Sequence, residues 1–380
     1  MAHSARWLLL ALSLILNVSL AARPRARDLG VPFDGAPGLL NAITDVASVE
    51  VGQTTLIRGS GRLVVGEGPV RTGVTAIFPR GKANAAPVFA GWFSLNGNGE
   101  MTGTVWIDEA GILDGPIALT NTHSVGVVRD AIIQWQVKMG RAGGQVWWSL
   151  PVVAETWDGW LNDINGFHVK PEHVFVALDA AKPGPVEEGS VGGGTGMVCH
   201  EFKAGIGTAS RVTGAGYTVG VLVQANYGLR GQLRIAGVPV GQEILQGTVR
   251  TDEAGSILVI IATDAPLLPH QLKRLARRPS LALGRMGSVS GDGSGDLFLA
   301  FSTANTVPVG QKKPGTVQLL ATDDMSPLFA AVVQATEEAI VNALVAGETM
   351  TGRDDHVIVG LPHDRLRAVL KKYGQLNETR

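Results

Sequence analysis

From residue 40 to about 110 the chain alternates apolar and polar positions or runs in short β-type blocks. The blocks are VASVEVGQTTLIRG, GVTAIFP and APVFAGWFSL, separated by glycine and asparagine and closed by the turn Asn96-Gly97-Asn98-Gly99. This predicts a sheet-building region. Over residues 122–140 the apolar spacing changes to about 3.6, with Val127, Val128, Ile132, Ile133 and Trp135 on or near one face. A helix is predicted there, capped by Thr122 or Asn121. The proline- and glycine-rich stretch 183–196 has no period and is the best candidate for a boundary within the chain. After it, YTVGVLVQAN (217–226), SILVIIATDAPL (256–267) and GDLFLAFST (295–303) read as buried strands. The second of these ends at Asp264, with Pro266 just inside a following helix. An amphipathic helix is predicted from about Pro327 to Ala346, capped by Ser326, stopped by Gly347 and carrying Glu337 and Glu338 on its polar face. A short helix over Asp364–Lys372 closes the chain. Strands first and helices interspersed later point to a layered α+β architecture rather than a βαβ repeat.

Composition narrows the function classes. Among 380 residues, 45% are apolar and 17% charged, so the chain is a globular, apolar-rich protein rather than a disordered or coiled-coil one. Its 50 glycines and 19 prolines fall short of a low-complexity content, so the glycines belong to folded structure. With 32 basic and 33 acidic residues the net charge is -1, which offers no attraction to nucleic acid or to an anionic membrane. One cysteine, Cys199, excludes an intramolecular disulfide and a cysteine-rich zinc site. Residues 7–20, WLLLALSLILNVSL, form an apolar run of signal-peptide length with Ser19 and Ala21 as small residues for cleavage. A signal over 1–22 would place the protein in the periplasm or outside the cell. Arg23, Arg25 and Arg27 on its far side leave open a misassigned start and a cytoplasmic protein.

Familiar motifs fail on spacing. GGGTG (192–196) and GAGYTVG (214–220) fit neither the dinucleotide fingerprint nor the P-loop, and the latter precedes a strand where those motifs follow one. The eight histidines form no HExxH, and His200-Glu201 lacks a second ligand pair, so no metal site is expected. No GxSxG elbow anchors a hydrolase triad. Ser256, after Gly255 in the polar turn TDEAGS, opens the most apolar strand; by composition alone it is an ordinary turn-to-strand serine.

The blocks LNAITDV (40–46), ALTNTHSVGVVRDAI (118–132), AETWDGWLNDINGFHV (154–169), GGGTGMVCHEFKAGIGTASR (193–211) and VLVQANYG (221–228) are met in turn along the chain. GSILVIIATDAPLLPHQLKRLARR (255–278), GDGSGDLFLAFSTAN (291–305) and ALVAGETMTGRDDHVIVGLPHDRL (343–366) follow them. Together, and in this order, they resemble the DmpA-type aminopeptidases, the family of the L-aminopeptidase/D-Ala-esterase and the β-peptidyl aminopeptidases. The resemblance implies an αββα sandwich of the N-terminal-nucleophile type, made as a precursor that cuts itself between glycine and serine. Here that bond is Gly255–Ser256, leaving an α chain over 23–255 and a β chain over 256–380 in one folded unit. Gly255, lacking a Cβ, could take up a strained backbone and expose its carbonyl to the Ser256 hydroxyl. The freed Ser256 amine would then act as general base for its own hydroxyl.

Other roles follow from matched positions. Ser294 and Asp296 match the serine and acidic residue that the family sets beside the nucleophile. Asn226 matches the asparagine that holds the oxyanion, and Glu155 the carboxylate that binds the substrate's free ammonium group. Trp157 stands where the D-Ala-esterase branch has a tyrosine, so the indole is expected to reshape the pocket beside Glu155. The implied protein is a self-processing serine aminopeptidase, without metal or organic cofactor, acting on short peptides, amides or esters. The family also implies a homo-oligomer, a tetramer of αβ units. A β-peptide-specific enzyme, acyl transfer to another amine and a non-catalytic binding module of the same fold are the other readings. The acyltransferases of related fold cut before threonine, which argues against the second.

Overall fold

The computed structural model describes residues 23–141, 143, 146–249, 255–307 and 314–378; the expected leader lies outside them. The first block of period-two sequence becomes β1 (Glu50–Arg58), β2 (Val70–Phe78) and β3 (Val88–Gly97). Next come α1 (Thr104–Ala110), β4 (Ile112–Leu113), β5 (Ile117–Asn121), α2 (Val125–Lys138), β6 (Val152–Thr156) and α3 (Pro171–Ala180). A small hairpin, β7 (Val198–Cys199) and β8 (Phe202–Lys203), leads into β9 (Ile206–Val212), β10 (Thr218–Asn226) and α4 (Val240–Glu243). The remainder is β11 (Gly255–Thr263), α5 (Pro269–Ala276), α6 (Pro279–Arg285), β12 (Ser294–Ser302), α7 (Ser326–Val345), β13 (Met350–Thr351), β14 (Val357–Ile358) and α8 (His363–Lys372).

Two sheets face each other. One has the order β1-β2-β5-β6, the other β4-β3-β12-β11-β10-β9. Leu258 and Ile260 of β11, with Leu222, Leu299 and Phe301, point between the sheets against Ile77, Ile117 and Leu119. Their neighbours Val259 and Ile261 point outward with Val221 and Val223 onto Leu272, Leu275, Val332 and Ala339 of α5 and α7. Helices α2 and α3 cover the other sheet, where Ile132, Trp135, Val174 and Leu178 meet Val74, Ala76 and Ala118. The result is the expected αββα sandwich. Every residue of β11 and of β12 is buried because helices and a second sheet cover both faces, which is why these strands read as apolar runs without alternation.

Four expectations change. The stretch 183–196 is no boundary: Gly192–Gly194 form a buried 3₁₀ turn packed against β2 and β5, and strands on both sides of it share the sandwich. Pro266 lies in the β11–α5 loop, and Pro269 opens α5. Ser326 is the first residue of α7 rather than its cap, and Glu337 and Glu338 are buried. Arg27 binds both Glu338 oxygens at 2.7 and 2.8 Å, Arg211 adds a third contact at 2.7 Å, and Asn41 Nδ2 donates at 2.6 Å. Burial pushes the Glu338 carboxyl up, but Arg27 and Arg211 outweigh it and hold it below its ordinary value. Removing one partner from such a buried cluster typically costs about 3–5 kcal/mol. Glu337 pairs with Arg285 at 2.9 Å.

Candidate active site

Strand register brings the site together. β11 and β12 run parallel with Gly255 opposite Ser294, Ser256 opposite Gly295 and Ile257 opposite Asp296. β10 runs antiparallel to β11 and ends with Asn226 opposite Ser256. Five of the residues singled out in the sequence, Gly255, Ser256, Asn226, Ser294 and Asp296, thus meet at one end of three adjacent strands. Ser256 is 4% exposed; its hydroxyl donates to the Gly255 carbonyl at 2.7 Å and accepts the Gly295 N–H at 3.1 Å. Ser294 Oγ donates to Asp296 Oδ1 at 2.7 Å. Asn226 is fixed at both ends of its amide. Its Oδ1 accepts the Val198 N–H and its Nδ2 donates to the Trp157 carbonyl, each at 2.8 Å.

Gly255 has a different reason for being glycine from the one expected. Its backbone is ordinary strand and is not among the left-handed glycines, whereas a Cβ on it would stand 1.9 Å from the Asn226 carbonyl oxygen. Close approach of β11 to the end of β10, not a strained φ, is what demands glycine.

Glu155 reaches the same place from the other sheet. It sits on β6, buried, where Oε1 accepts the Glu100 N–H at 3.0 Å and Oε2 accepts the Thr122 hydroxyl. Glu155 Oε1 and Gly295 Cα each lie 3.3 Å from the point where Gly99 would carry a Cβ, so the carboxylate stands close to the residue whose N–H holds Ser256 Oγ. The asparagine–glycine turn after β3 makes this junction. Asn96 Nδ2 donates to the carbonyls of Ser290 and Gly291, and Asn98 Nδ2 to that of Gly293, stapling the turn to the loop before β12. Burial raises the pKa of Glu155, against the Thr122 hydroxyl and the Glu100 N–H, which lower it. Nearby Asp158 is pushed up to about 6 by burial, against hydrogen bonds from Thr72, Asn162 and Asn121.

Several participants carried a misleading sequence signal or none. Thr122, expected to cap α2, makes no cap; a 3₁₀ turn over Thr122–Ser124 precedes the helix and turns its hydroxyl to Glu155 instead. Asn121 likewise bonds Thr72 and Asp158 rather than the helix. The N–H groups of Gly295, Val198 and Glu100 and the Trp157 carbonyl are backbone atoms, whose roles depend on register and not on residue type. Trp157 is partly exposed with its ring over Gly159, and its carbonyl is what meets Asn226.

A serine opening a central strand of an αββα sandwich, with its hydroxyl on the preceding carbonyl, is the arrangement of the N-terminal-nucleophile hydrolase fold. The chain belongs to peptidase family S58, whose profile it matches over residues 41–358, and is therefore a peptidase. It is 56% identical to the β-peptidyl aminopeptidase BapA of Sphingosinicella microcystinivorans over 382 aligned positions, covering 96% of each protein. Identity to BapA of Sphingosinicella xenopeptidilytica is 53%, covering 95% of this chain and 94% of the relative. The L-aminopeptidase D-Ala-esterase/amidase of Ochrobactrum anthropi, described as a prototype for the serine aminopeptidases and a new variant of this fold, superposes with TM-score 0.88. It is 48% identical, over 93% of this chain and 100% of that one. A β-aminopeptidase of Burkholderia sp. gives TM-score 0.85 at 53% identity, over 92% of this chain and 99% of that one.

Proposed function

We propose that this peptidase is a serine aminopeptidase that matures by cutting its own Gly255–Ser256 bond and then removes N-terminal residues, β-amino acids among them, from short peptides, amides or esters. The observation that carries the reading is the Ser256 hydroxyl held 2.7 Å from the carbonyl oxygen of the bond to be cut. In maturation Oγ attacks the Gly255 carbonyl carbon and the C–N bond breaks as the amide nitrogen gains a proton. Water then hydrolyses the resulting ester, releasing a Gly255 carboxylate and a free Ser256 amine. In turnover that amine, with an ordinary pKa near 7.7–8.0, takes the Oγ proton as the hydroxyl attacks the substrate carbonyl. The leaving amine departs protonated, and water hydrolyses the acyl-enzyme.

Asn226 is assigned to the oxyanion through the second hydrogen of Nδ2, the first being held by Trp157; losing one such donor typically costs about 10²–10³ in kcat. Glu155 is assigned to the substrate ammonium, and the Ser294–Asp296 pair to the Ser256 amine. β-Amino acids are favoured because identity is higher to the β-aminopeptidases, at 53–56%, than to the L-aminopeptidase, at 48%.

A denaturing gel with N-terminal sequencing tests the reading. Two fragments are expected, the smaller beginning SILVI, together with release of p-nitroaniline from an anilide carrying a free β-amino acid. Ser256→Ala is expected to give one uncut, inactive chain. An uncut wild-type chain with full peptidase activity would overturn the mechanism.

A further inference from the structure

Lys203 ends the hairpin formed by β7 and β8 and is fully buried. Among the described residues no carboxylate pairs with it; its ammonium donates to the carbonyls of Met197 at 2.9 Å and Ala204 at 2.7 Å. A buried ammonium satisfied only by carbonyls is costly, and its position relative to the site suggests what it does. The Met197 carbonyl belongs to the same peptide group as the Val198 N–H, and that N–H clamps Asn226 Oδ1.

We propose that Lys203 is a positioning residue that supplies positive charge to the oxyanion site through a relay of hydrogen bonds. The relay runs from its ammonium to the Met197 carbonyl, from the Val198 N–H to Asn226 Oδ1, and from Asn226 Nδ2 to the oxyanion. A cation on a peptide carbonyl draws electron density towards oxygen and makes the N–H of that peptide a stronger donor. The Asn226 amide transmits the same polarisation to its own N–H, and in a dry interior such chains reinforce one another. The proposal rests on the oxyanion role of Asn226 given above.

The titratable and charged groups around Lys203 do not offset it. His200 and Glu201 fill the turn of its hairpin, and Glu201 accepts the N–H groups of Arg230 and Val249. Arg230 lies over the Phe202 ring, Asp158 stands beside Gly196, and Glu348 follows Gly347, which packs on the Lys203 carbonyl. Burial alone lowers the Lys203 pKa, to about 7. The relay therefore carries its charge below about pH 7 and loses it as the pH rises through that value.

The test compares wild type, Lys203→Met, Asn226→Ala and the double variant, measuring kcat and KM on a β-aminoacyl p-nitroanilide. At about pH 6, where the lysine is charged, Lys203→Met is expected to lower kcat about tenfold with KM held within about twofold, and to change kcat less than about twofold in the Asn226→Ala background. The ratio of wild-type to Lys203→Met kcat is expected to fall from about tenfold at about pH 6 towards one above about pH 8. If Asn226→Ala leaves kcat unchanged, the assignment of the amide to the oxyanion fails. If Asn226→Ala lowers kcat but Lys203→Met has the same effect in both backgrounds, or none, the relay fails and the lysine is structural. Should Lys203→Met not fold, Lys203→Gln takes its place in the same comparison, and a wild-type-to-variant ratio of kcat that is equal at about pH 6 and above about pH 8 overturns the relay.

Discussion

Single residues at this site work against their surroundings. Glu155 is a carboxylate whose burial favours the neutral form, held by one hydroxyl and one N–H. In the proposed role it must be ionised to take a substrate ammonium, so its raised pKa would weaken capture of substrate in mildly acidic solution. Because kcat/KM reports groups of the free enzyme, that ratio is expected to fall with decreasing pH through a range above the usual carboxylate value of about 4.3. Glu155→Gln should lower kcat/KM roughly 10- to 100-fold, mainly through KM, and make the acid limb less steep, leaving only the fall set by the Ser256 amine. An unchanged KM in Glu155→Gln would show that the ammonium is bound elsewhere. Glu155 was legible only through its matched block, AETWDG; alone it reads as a solvated loop charge. Its partner Thr122 carried the opposite signal, since a threonine ahead of an apolar period reads as a helix cap.

At the scale of elements the strands were legible and their pairing was not. Continuous apolar runs identify β11 and β12 as buried on both faces, yet nothing in SILVIIAT or GDLFLAFS says that the two lie parallel with Ser256 opposite Gly295. Nor did amphipathic spacing reveal that α7 is enclosed, since the charges of Glu337 and Glu338 imitate a polar face; their arginine partners lie far away in sequence. Register is what makes Gly255 indispensable. Alanine there would set a methyl 1.9 Å from the Asn226 carbonyl oxygen, forcing the start of β11 away from β10 and Ser256 away from the Gly295 N–H. Gly255→Ala is expected to accumulate uncut precursor with a lowered thermal midpoint, as seen on a gel and in a melting curve. Cutting at the wild-type rate would show that this strand end yields without disturbing the hydroxyl.

For the whole molecule, the apolar layering and the collinear blocks made the sandwich predictable, whereas the tertiary clamps that close it were invisible. Arg27 and Asn41 near the N-terminus and Arg211 on β9 converge on Glu338 of α7, so residues on both sides of Gly255 share one buried cluster. The strand order interleaves the same two parts. β12 and β11 lie between β3 on one flank and β10 on the other, with eight residue pairs along each ladder. After a cut at Gly255–Ser256 the second chain would remain gripped on both sides by the first. Losing that grip would be another matter, because recovery then requires an encounter between two molecules. After denaturation and tenfold dilution, refolding yield of the mature protein is expected to fall with concentration, whereas that of uncut Ser256→Ala should not. Equal yields at all dilutions would mean that each part folds unaided. The proposed maturation would thus convert a fold that a single chain can regain into one that persists through slow unfolding, and the lifetime of the enzyme would become a matter of rate rather than of equilibrium.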